Sequence, residues 1–410
     1  MVRKQFFGAL VGTVSAALLM AGCSSSAAPA GANAGAGGIA DMEPIELIVS
    51  NIHAETSTAG MLLNDWMEAV KEGSGGKVTF DYYGGGTLHP ATEAISAIES
   101  GLTQVTFVST GYWPDQLPVA QWDDKVFQEA VRKFGYPAVN TAGIPAQLAH
   151  YGEGSAVAEE FAKHKMIPLL PMTSGPAVLH CAEPFDSPED LKGRQVRVPN
   201  DVSKGENEAL GMTGVFIPPN EQYEALQRGV IDCAVNAPTT VLGGGLLEVA
   251  KYSAFTENAP SSGSMFVIAK DTWESFPQPV KELMTKAGNE ALVKFTQNTL
   301  DVYAKYITET EAAGGEIVAT GAMDEKLRAW HDAQPDLKTN APSGVADAAA
   351  AVGRVDGMVK DWVAFTADEL GVESANGLGL DEQLAIYRKG RDILDWDKYQ
   401  SFLNEYTGVK

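Results

Sequence analysis

A chain of 410 residues is long enough for two lobes, each with its own core. Its 45% hydrophobic and 20% charged residues describe a soluble globular protein, and 53 acidic against 30 basic side chains give a net charge of −23. So acidic a surface argues against nucleic acid and against electrostatic attachment to membranes, and it makes any arginine in a cleft more informative about an anionic ligand.

The chain opens on a targeting segment. Arg3 and Lys4 form a basic start, and residues 6–19 an apolar stretch too short for a membrane span. Leu19-Met20-Ala21-Gly22-Cys23 resembles the box at which bacterial lipoproteins are cut. It implies a lipoprotein signal peptide over 1–22, cleavage before Cys23 and lipidation of that thiol; the alternative is a plain secretory signal cut elsewhere. Residues 23–40, rich in Ser, Ala and Gly, read as a flexible tether.

The folded part begins with a buried strand over 45–50, a loop carrying His53, and a helix from about 58. A strand over 78–82 is broken by Gly84-Gly85-Gly86, which do not continue as G-x-G-x-x-G and so read as a turn, not a dinucleotide site. A helix over 90–100 and a strand over 105–108 lead into a loop with Tyr112 and Trp113. His53, His89, Tyr112 and Trp113 each read singly as packing or exposed loop. Together they form an edge suited to a ligand with an apolar part. Residues 127–161 mix helix and loop. Strands over 166–172 and 177–181, with Thr173 between them and His180 in the second, make the first crossing between lobes.

Residues 191–238 carry the strongest pattern. Ser187 and Pro188 start a helix. A strand over 195–198 bears Arg197 near its carboxyl end. A helix over 203–210, a strand over 215–217, a helix over 221–228 capped by Asn220, and a strand over 231–235 ending at Asn236 follow. This alternation predicts parallel βαβ units, whose ligands sit at the carboxyl ends of the strands, where Arg197 and Asn236 both lie. Spacing alone equally allows a surface Arg197 paired with an acid and Asn236 as a helix cap. Cys181 and Cys233 are either a disulfide or two buried thiols.

After 238 we expect a helix to about 250, strands over 252–255 and 265–269, and a long helix over 280–312. An alanine-rich helix over 345–368 and two short terminal helices follow. The boundaries are a first lobe over 41–172, a second over 173–256, a return to the first over 257–340, and an extension over 341–410 layered on the first lobe. No G-x-S-x-G, H-E-x-x-H, P-loop or C-x-x-C motif is present, and the histidines stand apart from one another. The expectation is therefore no enzyme, no metal and no cofactor.

Pro188-Glu189-Asp190-Leu191-Lys192-Gly193, Arg197-Val198-Pro199-Asn200, the run Glu221-Gln222-Tyr223 with Ala225-Leu226-Gln227 and Gly229-Val230, Asp232, and then Asn236 make up a signature. It is similar to that of the solute-binding receptors of TRAP (tripartite ATP-independent periplasmic) transporters. The likeness is specific over 188–238, looser over 45–325, and fades beyond. Cys233 stands where the family usually has Gly. Pro176 stands where many relatives have a second ligand-holding arginine, leaving Thr173 or His180 as partial substitutes. The resemblance implies an α/β, two-lobed periplasmic-binding-protein-like fold with a cleft between lobes and a long linking helix. It further implies an extracytoplasmic receptor, anchored by lipid on Cys23, that hands a small carboxylate-bearing acid to integral-membrane permease subunits. Arg197 would grip the carboxylate and Asn236 donate to it, with Tyr112, Trp113, His53, Thr173 and His180 around the ligand. The alternatives are a receptor of an ATP-driven importer and a lipid-anchored hydrolase with a dispersed triad.

Overall fold

The computed structural model of the chain describes residues 38–409 except 153, 174, 218–220, 261, 262 and 376. The signal segment, Cys23, most of the tether and the Asn220 cap lie outside the described residues.

Eleven strands build two sheets among the described residues. They are β1 (Ile45–Ser50), β2 (Val78–Tyr83), β3 (Val105–Ser109), β4 (Met166–Met172), β5 (Val178–Cys181), β6 (Gln195–Val198), β7 (Thr213–Phe216), β8 (Cys233–Asn236), β9 (Tyr252–Ala254), β10 (Ser264–Ala269) and β11 (Glu316–Ile317). The first sheet runs β2-β1-β3-β10-β4, with β1 parallel to β2 and β3 and β10 antiparallel to both its neighbours. The second runs β11-β9-β5-β8-β6-β7, with β6 parallel to β7 and β8. The chain crosses between sheets after β4, again before β10, and a third time through the helix Gln278–Ala312. At 35 residues this helix is about 52 Å long.

That helix belongs to two cores. Val280, Met284, Ala287, Leu292 and Phe295 pack with Leu47, Val49 and Phe107 of the first sheet. Leu300, Tyr303, Tyr306 and Ile307 pack with Val178, Val241 and Phe255 of the second lobe. Its first half is matched by the helix Thr58–Gly73, whose Leu62, Leu63, Trp66, Met67 and Val70 bury one stripe at helical spacing. Ser57 caps that helix by accepting from the Gly60 N–H, and Trp66 Nε1 donates to the Met284 carbonyl. The lobes also meet at the buried His331, whose ring nitrogens lie 2.5 Å from Glu129 and 2.9 Å from Glu206.

Two boundaries differ from the sequence reading. β11 pairs with β9, and the helix Gly321–Asp332 puts Met323 and Leu327 into the core of the second sheet. Residues 316–332 therefore belong to the second lobe; a two-residue strand after Gly314-Gly315 is too short to register as a periodic pattern. The extension covers both lobes, not the first alone. Its helix Ala348–Asp368 packs Ala351, Val355 and Val359 against Trp122, Val126 and Val139, whereas Leu384, Ile386 and Tyr387 enter the core around Val178 and Phe255. An amphipathic pattern shows that a face is covered and not by what.

Cys181 and Cys233 are partners in the antiparallel β5–β8 register and form a disulfide across a sequence separation of 52. Closing a loop of that length contributes about 4 kcal/mol through lost chain entropy in the unfolded state. The bridge ties the strand that precedes the signature to the strand that ends it.

Candidate functional site

The register of the second sheet places Ser253, His180, Ala234 and Arg197 in one row across β9, β5, β8 and β6. Paired residues of neighbouring strands share a face, and Asn236, two residues beyond Ala234, shares it too. The opposite face carries Leu179, Cys181, Val196, Val198, Cys233 and Val235 in an apolar core. Alternation along short buried strands thus separates a polar face from an apolar one.

Arg197 is only 7% exposed. Its Nε donates to the Ile217 carbonyl at 3.0 Å, and Nη1 donates to the Val235 carbonyl at 3.1 Å and to Asn236 Oδ1 at 3.0 Å. Nη2 makes no hydrogen bond, and no carboxylate pairs with the guanidinium, among the described residues. Burial lowers its pKa to about 10, which leaves it cationic at neutral pH. Arg132, the other buried arginine among the described residues, is held by Glu129.

Arg197 also dictates the orientation of its neighbours. A guanidinium only donates, so Asn236 must turn Oδ1 toward it. The amide nitrogen then faces Gln222 Oε1 at 2.7 Å and His180 Nε2 at 3.0 Å. His180 accordingly presents a lone pair at Nε2 and carries its proton on Nδ1. Burial depresses its pKa to about 4, so the ring is neutral. Both amide protons of Asn236 are spent on the protein. In this arrangement Asn236 meets Arg197 through its oxygen, and donation to a carboxylate would need one of these two bonds to open. Gln222, fully buried, is the member that sequence reasoning missed. It occupies the free position of E-x-Y, and its place directly after Glu221 was the only available signal.

The remaining expected residues do not join this group. Thr173 donates to Gln147 Oε1 at 2.8 Å and is buried. His53 stands edge-on to Phe107 at 4.6 Å, and burial lowers its pKa. Trp113 is core, packed with Ile95, Val108 and Leu117, and meets Tyr112 edge-to-face at 5.8 Å. Tyr112 itself is half exposed. His89 is structural: its Nε2 lies 2.8 Å from Ser50 Oγ and its Nδ1 2.9 Å from the Pro90 carbonyl. Pro176 borders a cavity of about 540 Å³ at the crossing, whose arginines, Arg132 and Arg328, are bound to Glu129 and Glu257. Among the described residues no group of three His, Cys, Asp or Glu side chains is placed to hold a metal ion, and no helix is long and apolar enough to cross a membrane.

Residues 49–338 match the family of bacterial extracellular solute-binding proteins, family 7, also called DctP. The chain belongs to this family. The receptor is similar to the ectoine-binding periplasmic protein TeaA of Halomonas elongata, 24% identical over 265 residues that cover 63% of this chain and 74% of that one. It is similar to the C4-dicarboxylate-binding periplasmic protein DctP of Rhodobacter capsulatus, 23% identical over 71% of this chain and 80% of that one. Among solved structures, a TRAP periplasmic solute-binding protein from Rhodobacter sphaeroides aligns with a TM-score of 0.62 at 20% identity, over 77% of this chain and 99% of that one. One from Pseudomonas putida F1 with bound D-glucuronate gives 0.54 at 24% identity, over 70% and 95%. The fold is thus the two-lobed one of TRAP receptors, and the family is one of solute-binding receptors, not of enzymes.

The neutral state of His180 gives a pH test. In the unfolded chain histidine titrates near 6.5; in the fold it titrates near 4. The unfolded state therefore binds more protons between these values, and stability falls as pH drops through that window, by roughly 3 kcal/mol at most. Buried Asp124 and Asp324, raised by burial to about 7 and about 6, slope the other way. The difference between parent and His180→Gln isolates the histidine. Urea unfolding at pH 7 and pH 4 should show the parent losing about 3 kcal/mol relative to the variant; a difference independent of pH would contradict the neutral assignment.

Proposed function

We propose that this receptor closes its lobes over a small organic acid, grips the carboxylate with Arg197, and delivers it to integral-membrane TRAP permease subunits. The single observation that carries the reading is Arg197 itself. A cation taken out of water is costly unless it meets an anion. In a chain with 53 acidic and 30 basic side chains, the protein supplies Arg197 with neutral acceptors alone among the described residues. The Nη2 edge, which makes no hydrogen bond among the described residues and is held rigidly by the three bonds of Nε and Nη1, offers a carboxylate charge and directed hydrogen bonds together. Ectoine, C4-dicarboxylates, D-glucuronate and pyroglutamate, named for relatives and structural neighbours, all bear a carboxylate. Tyr112 and His53, on first-lobe loops, are the apolar wall that lobe closure brings to the ligand, with Trp113 supporting Tyr112 from the core; Thr173 and His180 act from behind. The site includes no catalytic group in our reading, and the receptor performs no chemistry on its solute.

The second part of the proposal is the anchor: cleavage before Cys23 and lipidation of its thiol, with residues 23–40 as tether. Changing Cys23 to Ser should move the protein from the membrane to the soluble fraction without altering solute affinity. A Cys23→Ser protein that still sediments with membranes contradicts the anchor.

The site is tested by screening C4-dicarboxylates, uronates, pyroglutamate and ectoine by thermal shift, then by calorimetry with whichever acid binds. Arg197→Ala should weaken binding at least 100-fold, about 3 kcal/mol, as for other buried charged contacts broken on one side. Arg197→Lys should fail nearly as badly, because an ammonium has no planar fork. Binding by both variants within threefold of the parent would refute the carboxylate reading.

A further inference from the structure

The family match ends at residue 338, and the extension beyond it touches both lobes and the helix that joins them. The helix Gln278–Ala312 leaves the first core at Phe295 and enters the second at Leu300. A change in the angle between lobes has to be absorbed around that step, since packed cores on either side move as units.

The extension spans the step along the same helix. On the first-lobe side, Asn289 Nδ2 donates to Asn404 Oδ1 at 2.9 Å and to Thr407 Oγ1 at 2.7 Å, and Val293 packs with Trp362, Tyr399 and Leu403. At the step, Arg391 holds Asn298 and Asp301, the latter through both its backbone N–H and its guanidinium. On the far side Arg388 is bound to Glu311. These contacts run from residue 289 to residue 311, about 33 Å of helix.

Both ends of this run are fixed. Tyr399 donates to the Thr141 carbonyl of the first-lobe helix Ala138–His150 at 2.6 Å. Tyr387 stacks on Tyr136 at 3.8 Å and on Phe255, in the second crossing, at 4.5 Å. Gly390 sits so close to the long helix, at φ +53°, that a Cβ there would meet Asp301 Oδ1 at 2.8 Å.

We propose that the extension is a splint. It restrains the long helix at the step between cores and so sets the resting angle of the lobes and the work needed to close them. This rests on the reading that the lobes move. The test needs no solute, so an error about the acid or about Arg197 leaves it unaffected.

Hydrogen exchange by mass spectrometry on the ligand-free full chain compares the parent with Gly390→Ala, which strains the left-handed turn and displaces the Asp301 carboxylate that holds Arg391, and with Arg388→Ala/Arg391→Ala, which removes exposed ion pairs and the Asn298 hydrogen bond. Exchange across 293–302 should accelerate at least tenfold in Gly390→Ala and by a smaller factor in the double variant, since exposed pairs are individually weak. Protection in β1, β3 and β6 should match the parent. Acceleration confined to 380–406, with 293–302 unchanged in both variants, would overturn the splint. Should Gly390→Ala lose the protection of β1, β3 and β6, the double variant alone decides, by whether 293–302 accelerates.

Discussion

A buried guanidinium that meets no acid among the described residues is the constraint from which the rest of the site follows. Arg197 is largely withdrawn from solvent, and the fold supplies it with the carbonyls of Ile217 and Val235 and the amide oxygen of Asn236. Neutral acceptors recover part of the lost hydration and none of the missing countercharge. In the proposed function that deficit is what an anion of the right shape would make good. Because Arg197 can only donate, it fixes the amide of Asn236, which in turn fixes Gln222 and the tautomer of His180. Protonating His180 would place a donor against a donor and force that amide to turn. The low pKa of a fully buried ring keeps the arrangement intact at neutral pH.

The scaffold holds this group by joining distant pieces of chain. β5 and β8 carry His180 and Asn236, are antiparallel neighbours, and are cross-linked on the apolar face by Cys181–Cys233. β6 brings Arg197 alongside β8 in parallel register. Beyond the sheet, one helix shared by two cores links the lobes, and the extension lies along it. A polar contact network within one lobe and a restrained hinge between lobes are separable devices. In the function proposed above the first selects the solute, and in the splint proposal the second sets how readily the lobes close on it.

Much of this was legible in the sequence, for physical reasons that differ by element. The strands ending at Arg197 and Asn236 announce themselves by short apolar runs between glycine-stopped helices, and parallel βαβ units put both residues at one edge of the sheet. The saturation of Asn236 was not legible, because its partners His180 and Gln222 are 56 and 14 residues away and their orientations depend on the register. Trp113 read singly as packing and with its neighbours as a cleft edge, because a single short turn has no period to say which way a ring points; in the structure it is buried with Val108 and Leu117. The extension's apolar faces were visible, but the surfaces that receive them, on both lobes and the long helix, are tertiary facts.

In the proposed function the Nη2 side of Arg197 takes the carboxylate of the transported solute. The most direct measurement is mass spectrometry of small molecules released by denaturing the parent and Arg197→Ala proteins, purified side by side from the same cells. The account predicts one carboxylic acid near equimolar with the parent and absent from the variant. A neutral or cationic solute on the parent, or the same acid in equal amount on both proteins, would contradict it.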